Sequence, residues 1–195
     1  MKTTAIVLSG GKGSRMGYKE KAWMMHGEKP LLSHVLDSVS AQVDAILISR
    51  NNVKESKYDG LPYKCITDKT GPREHNNFTD RAQLGPLAGI CACVRHVDTP
   101  FTLVVPCDLP SLPRNLVGKL KNGIADANVA VAFDGMNEQP LVFLAKTQVL
   151  RSIDAYLMSG KNSVKGWLNG ISRQRVLFEN GPRLFENINT PDELL

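Results

Sequence analysis

Apolar positions along the chain fall into short unbroken runs, separated by longer stretches in which they recur every three or four residues. The runs are 4–8 (TAIVL), 44–49 (DAILIS), 63–66 (YKCI), 101–105 (FTLVV), 129–133 (VAVAF), 140–145 (PLVFLA) and 175–178 (RVLF). They are rich in Val, Ile and Leu, and the first four show no period of two. That pattern predicts strands buried on both faces, as in a parallel sheet. The stretches between them predict helices. Residues 30–41 place Leu31, Leu32, Val35, Leu36 and Val39 on one stripe, with Pro30 suited to the first turn. Residues 86–97 begin at Pro86 and carry Leu87, Ile90, Cys91 and Val94. Further helices are predicted over 113–122, 147–159, 162–168 and from Pro191 onward.

Strand–helix alternation of this kind predicts an α/β fold: a single domain over residues 1–195 with a mostly parallel, doubly wound, Rossmann-like sheet and helices on both faces. Ligands of such sheets gather where strands end. The residues that follow the first four strands are Ser9–Gly10–Gly11, Ser49 to Asn51, Asp68, and Cys107–Asp108. One polar stretch, KTGPREHNNFTDRAQ at 69–83, is too long for an ordinary connection and is expected to be a mobile functional loop or a disordered insertion.

Composition narrows the classes. The chain has 195 residues, 42% hydrophobic and 22% charged, with a formal net charge of +5, enough apolar material for a full core and a mild bias toward anionic ligands. Its basic residues are dispersed rather than clustered with aromatics, so nucleic acid is not an expected partner. No segment is long enough to span a bilayer, and the apolar stretch after Lys2 is too short for a signal-peptide core. Cys65, Cys91, Cys93 and Cys107 form no C-x-x-C, and the four histidines complete no zinc spacing. Reduced, buried thiols in a cytoplasmic protein are expected.

The candidate chemistry starts at LSGGKGSRMGYKEK, residues 8–21. A strand ends on Gly10 and Gly11, and Lys12, Arg15, Lys19 and Lys21 crowd the following turn. Glycines let backbone N–H groups approach an anion; Arg15 offers a planar fork for phosphate oxygens and Lys21 a movable point charge. The loop is not a Walker A loop, because the residue five places after Gly10 or Gly11 is Arg15 or Met16. It is not the dinucleotide fingerprint either, because Met16 stands where the last glycine belongs. The second constellation is PCDLP at 106–110. Asp108, held between Pro106 and Pro110 at a strand end and facing a cationic loop, suits Mg²⁺, which takes one or two carboxylates and fills its shell with phosphate oxygens and water. The third is GPL at 85–87, where Gly85, Pro86 and Leu87 start a helix whose free N–H groups can meet an anion or a base edge. The last is ENINTPDELL, residues 186–195. Thr190, Pro191 and Glu193 read as a capping box, whereas Asn187 and Asn189 alternate with Ile188 on one face of a short predicted strand.

These stretches, in this order, resemble the nucleotidyltransferases that activate a phosphate with a nucleoside triphosphate, and look most like the bacterial molybdenum cofactor guanylyltransferase family. The signature L-x-G-G-x-x-x-R-M-G-x-x-x-K spans residues 8–21, and GPLAG, PCDLP and NINTPDEL complete it. The resemblance implies transfer of GMP from Mg·GTP to molybdopterin, with release of pyrophosphate. It implies a nucleotide site formed by Leu8, Ser9, Gly10, Gly11, Lys21, Asp68, Asp108 and the Gly85–Pro86–Leu87 stretch, with Ser49 or Asn51 contributing at the end of the second strand. Arg15, Lys21 and Asp108 would be the catalytic residues and Asp108 the Mg²⁺ ligand. Asn187 and Asn189, which the capping box leaves without a structural task, are expected either to contact the acceptor or to pin the C-terminal strand and helix. Molybdenum-insertion and molybdoenzyme-maturation proteins are implied partners, and the expected state is a monomer or weak homo-oligomer. The residues leave open a relative that uses another phosphorylated acceptor, such as a sugar or corrinoid phosphate, or that uses CTP. They also leave open a non-catalytic nucleotide-binding protein.

Overall fold

A computed structural model of the chain describes residues 1–9, 21–50, 56–67 and 85–188. The 69–83 loop and the helix expected from Pro191 lie outside these residues. The strands are β1 (Thr3–Leu8), β2 (Met25–His26), β3 (Lys29–Pro30), β4 (Ala45–Arg50), β5 (Lys64–Thr67), β6 (Phe101–Pro106), β7 (Val129–Phe133), β8 (Glu138–Lys146) and β9 (Arg173–Leu177). The helices are α1 (Leu31–Val39), α2 (Gly85–Val94), α3 (Leu116–Gly123), α4 (Thr147–Leu150), α5 (Ser152–Met158), α6 (Val164–Asn169) and α7 (Gly181–Leu184). Short 3₁₀ turns cover Lys21–Trp23, Ser40–Gln42 and Ser56–Tyr58.

Seven strands form one sheet in the order β5-β4-β1-β6-β8-β7-β9, and β2 and β3 form a separate small hairpin. The pairs β1–β4, β1–β6, β4–β5 and β7–β9 are parallel, whereas β8 is antiparallel to both β6 and β7. The missing alternation in the early strands has a direct cause. Along β1, Ala5 and Val7 enter one core and Ile6 and Leu8 the other, and all four are buried. The first core is closed by α1 and α3 through Leu32, Val35, Leu36, Leu116 and Leu120. The second is closed by α2, α5 and α6 through Leu87, Ile90, Ile153, Trp167 and Leu168. The result is the three-layer, mostly parallel α/β architecture that the runs predict.

Three expectations need correction. The predicted helix 147–159 is two helices, α4 and α5, which meet at Arg151, whose N–H bonds the carbonyl of Gln148 three residues back and tightens the turn. Helix α3 starts at Leu116 rather than 113, with the side chain of Gln42 accepting the N–H of Val117 at 3.0 Å. Residues 186–188 are not a strand. They run irregularly out of α7, and the N–H of Ile188 goes to the carbonyl of Asp108 at 3.2 Å instead of to a strand ladder. Helix α7 itself carries no apolar stripe long enough to be read from sequence, and Gly181 sets its position. A Cβ there would lie 2.3 Å from Cα of Asp134, so only glycine lets α7 lie on the turn that follows β7.

That turn explains why β8 reverses. The carboxylate of Asp134 accepts the N–H groups of Met136 and Asn137, both at 2.7 Å, and the side chain of Gln139. Gly135 supplies the positive φ of 99°. The backbone N–H of Asn137, helped by those of Met136 and by Gln139, holds the Asp134 carboxyl below its ordinary range against the opposing effect of burial. Glu138, at the start of β8, accepts from Nε of Arg175 at 2.7 Å and of Arg173 at 3.3 Å on β9. Burial raises its pKa, but the two guanidinium groups outweigh burial and leave it lowered.

Both carboxyls therefore bind protons less readily folded than unfolded. Their contribution to stability is fully present above the unfolded carboxylate range of about pH 4 and is lost as pH falls through the lower folded values. Urea unfolding midpoints measured from about pH 5 down to pH 3 should fall more steeply for the wild type than for an Asp134→Asn/Glu138→Gln double variant. Parallel curves would remove these two carboxyls from the acid sensitivity.

Candidate functional site

Strand order reverses direction between β1 and β6. The chain winds outward to β4 and β5 on one side of β1, and β6 opens the other side. A crevice at the carboxyl ends of these two strands follows from that reversal. Backbone pairing continues to its very edge. The N–H of Cys107 donates to Leu8 at 3.0 Å and the N–H of Ser9 to Ser49 at 2.8 Å.

Asp108 and Lys21 are the centre of the crevice. Lys21 Nζ lies 2.6 Å from Asp108 Oδ2, with both side chains about one-fifth exposed at 18% and 19%. Lys21 opens the 3₁₀ turn Lys21–Trp23, anchored by the buried Ala22. Asp108 is fixed by its neighbours: Leu109 and Leu112 are buried, Pro106 closes β6, and the carbonyl of Asp108 is bonded by Ile188. The other carboxylate oxygen, Oδ1, is buried and has no hydrogen-bond partner among the described residues. A buried acceptor left unmet costs about 1–3 kcal/mol. Such a group suits a hard cation, and a carboxylate oxygen is the ligand Mg²⁺ prefers. No cluster of three or more His, Cys, Asp or Glu side chains capable of holding a metal occurs among the described residues. A divalent ion here would depend on Asp108 together with oxygens brought by its ligand.

The nucleotide-side residues divide by what they can offer. Ser9 and Ser49 sit at the crevice edge, both buried. The hydroxyl of Ser9 pairs with the phenol of Tyr58. Leu8 and Leu87 place their side chains in the second core, so any contact they make with a ligand is through backbone. Gly85 is exposed with φ of 62° at the start of α2, and Pro86 beside it is half-buried. Gly10, Gly11, Arg15, Asn51, Asp68 and Asn189 lie outside the described residues. Asn187 is exposed and lines a groove of about 290 Å³ next to the Asp108 loop.

Tyr58 is the residue that sequence reasoning missed. It comes from a polar connection, KESKYDG, with no periodicity to flag it. Yet it is almost wholly buried, meets Trp23 edge-on at 5.1 Å, and carries the guanidinium of Arg50 at 5.1 Å from its ring centre. A lone aromatic between two strand ends was the available signal. The thiols take no part: Cys107 is buried, and burial raises Cys65 further from the reactive thiolate.

Removing the phenol tests this support. Tyr58→Phe should leave the buried Ser9 hydroxyl without that partner and lower stability by about 1–3 kcal/mol, read as a drop in Tm with the fold retained. An unchanged Tm would show that the Ser9–Tyr58 bond carries no weight.

Comparison with known proteins agrees with this geometry. Residues 5–176 match the model of the MobA-like NTP transferase domain. A molybdenum cofactor guanylyltransferase of Shewanella piezotolerans is 34% identical over 191 residues, covering 97% of this chain and 88% of that protein. One from Shewanella baltica is 36% identical, covering 97% and 92%. The crystal structure of molybdopterin-guanine dinucleotide biosynthesis protein A from Archaeoglobus fulgidus superposes with a TM-score of 0.75 at 22% identity, over 98% of this chain and 94% of that one. At that identity it supports the fold alone, whereas the family match and the Shewanella proteins carry the assignment: the chain belongs to the MobA-like NTP transferase family.

Proposed function

We propose that this nucleotidyltransferase moves GMP from Mg·GTP to the terminal phosphate of molybdopterin, producing the guanine dinucleotide form of the cofactor and pyrophosphate. The observation that carries this reading is the Lys21–Asp108 pair at the reversal of strand order, with one carboxylate oxygen still unmet. The names of the Shewanella relatives supply the substrate class.

The reaction joins two polyanions. An oxygen of the acceptor phosphate attacks the α-phosphorus of GTP; a new P–O bond forms, and the bond to the β-phosphate oxygen breaks. The acceptor phosphate is mostly dianionic at neutral pH, since its second pKa is about 6, so the nucleophile brings no proton that a side chain must remove. The demand on the protein is charge placement and alignment. Asp108 would hold Mg²⁺, which neutralises charge on the triphosphate and the leaving pyrophosphate. Lys21, paired with Asp108 in the free protein, would turn to phosphate oxygens when the nucleotide arrives. Arg15, placed in the loop by the signature, would offer a planar fork to the same phosphates. Ser9 and the start of α2 would present backbone N–H groups to the nucleotide.

Incubation of the protein with Mg·GTP and a panel of phosphorylated acceptors, read by product mass, tests the proposal. A GMP adduct of molybdopterin with stoichiometric pyrophosphate is expected; adducts of a sugar phosphate alone, or of CTP, would replace it with another transferase reading. Asp108→Asn should stay folded and lose activity by at least about a hundredfold, equivalent to several kcal/mol of charge stabilisation. Lys21→Ala should lower turnover strongly and also lower the melting temperature, because it leaves the Asp108 carboxylate without its counter-charge. Near-wild-type activity in Asp108→Asn at low Mg²⁺ would remove Asp108 from the metal role.

A further inference from the structure

The ammonium of Lys21 ends a flexible four-carbon stem, and the turn that carries it is three residues long, Lys21–Trp23. Two backbone bonds lead away from this turn. The N–H of Met24 donates to the Lys21 carbonyl at 3.1 Å, and the N–H of Leu31 to the Met24 carbonyl at 2.9 Å. They tie the turn to itself and to the start of α1, not to the strand ends that border the crevice. Side chains make that second connection. Ala22 is fully buried in the first core. Trp23 packs against the same core and meets Tyr58 with ring centres 5.1 Å apart and planes at 73°.

Tyr58 makes this contact more than packing, because its ring gathers the ends of two strands. Its phenol pairs with the hydroxyl of Ser9, the residue after β1. The guanidinium of Arg50, the last residue of β4, stands 5.1 Å from the ring centre. Trp23 leans on the same ring, which is only 2% exposed. From Trp23 the route continues through Lys21 to Asp108 Oδ2 at 2.6 Å, beyond β6. One line of contacts thus joins the ends of β4, β1 and β6 across the crevice. A T-shaped aromatic pair has a preferred distance and angle, which a contact between aliphatic side chains lacks. The indole itself is a costly choice for the fold. Nε1 of Trp23 is buried and has no hydrogen-bond partner among the described residues, and an unmet buried donor opposes folding. Stability alone gives no reason for a tryptophan here.

We infer that Trp23 is a positioning residue for Lys21. Through its contact with Tyr58 it holds the Lys21 turn where the ammonium reaches both the Asp108 carboxylate and the phosphates of a nucleotide at the strand ends. The inference deepens the proposed function and rests on Lys21 being its phosphate-binding cation. Trp23 touches no reacting atom. Its effect is alignment, and a displacement of about 1 Å in a group that aligns a substrate costs on the order of a hundredfold in rate.

A double-substitution cycle with Lys21 tests this. Affinity for Mg·GTP is read by calorimetry without acceptor, and turnover by product mass, at a temperature where circular dichroism shows every variant folded. Trp23→Ala should weaken Mg·GTP binding about fivefold or more and slow turnover about tenfold or more. Trp23→Phe, which keeps a ring against Tyr58, should stay within about threefold of wild type in both. Trp23→Leu fills the core without a ring and should behave like Trp23→Ala; it replaces alanine in the cycle if Trp23→Ala does not fold. In a Lys21→Ala background, removing the Trp23 ring should add less than about twofold to either loss, because the side chain it positions is gone. A tryptophan that only supported the fold would lower Tm in both backgrounds, and its losses in affinity and turnover would multiply with those of Lys21→Ala. Multiplying losses, wild-type binding and turnover in Trp23→Leu, or equal losses in Trp23→Phe and Trp23→Leu would each overturn the inference. The parent reading fails separately. If the cycle holds for Mg·GTP affinity and no GMP reaches molybdopterin, the acceptor of the proposed function is wrong and the role of Trp23 stands. If the wild type does not bind Mg·GTP, both are overturned.

Discussion

Everything at the site depends on β1 being held from four sides. Its backbone pairs with β4 and with β6, and its side chains enter a different core on each face. A strand with no free edge and no solvent face has nowhere to shift. A slip of one residue would exchange Ala5 and Val7 with Ile6 and Leu8 between the two cores and send every bond of both ladders out of register. The ends of β1 and β6 are therefore fixed against each other, and the crevice between them inherits that rigidity. The bonds from Ser9 to Ser49 and from Cys107 to Leu8 extend it by one residue past the strands.

Within this frame, electrostatics selects what the crevice accepts. A carboxylate at a strand end would repel phosphate if it stood alone. Lys21 at 2.6 Å offsets it in the free protein, and the unmet Oδ1 leaves coordination capacity for a cation that arrives with its own anionic ligands. One pair thus serves two situations. It neutralises a partly buried acid, and in the proposed reaction it would separate into a cation for phosphate and a ligand for metal. Such a pair contributes little net stability, because desolvation offsets much of the attraction. Removing both partners together therefore costs little, whereas removing Lys21 alone leaves the Asp108 carboxylate without its counter-charge and costs stability as well.

How far the sequence reaches follows from the same physics. The strands of the sheet could be read because burial on both faces leaves unbroken Val, Ile and Leu runs, and α1 because its stripe of Leu31, Leu32, Val35, Leu36 and Val39 has only one core to face. Lys21 and Asp108 could be read because glycine, proline and charge mark the turns that hold them. Tyr58 could not, because its role arises from contacts with Ser9, Trp23 and Arg50 that are distant along the chain. Asn187 was legible as a residue without a structural task, but not in its geometry. Two asparagines around an isoleucine look like a strand, and only the bond from Ile188 to the Asp108 carbonyl shows that the segment is tied to a loop instead. Helix α7 was invisible for a related reason: four residues fixed by a glycine contact leave no period to detect.

The two halves of the sheet consequently differ in how freely they can change. On the β1–β4 side, the residues next to the crevice are also core or ladder residues: Leu8 and Leu87 fill the second core, and Ser9 and Ser49 share a backbone bond. Substitution there disturbs packing before it alters the surface that a ligand would meet. On the far side, Arg183, Glu186 and Asn187 support nothing else, since α7 is held by Gly181, Phe185 and Ile188. Their side chains can be exchanged at little cost in stability. A fold built this way ties the β1–β4 side of the crevice to the packing of the sheet and leaves the exposed positions after α7 free to vary without disturbing the core.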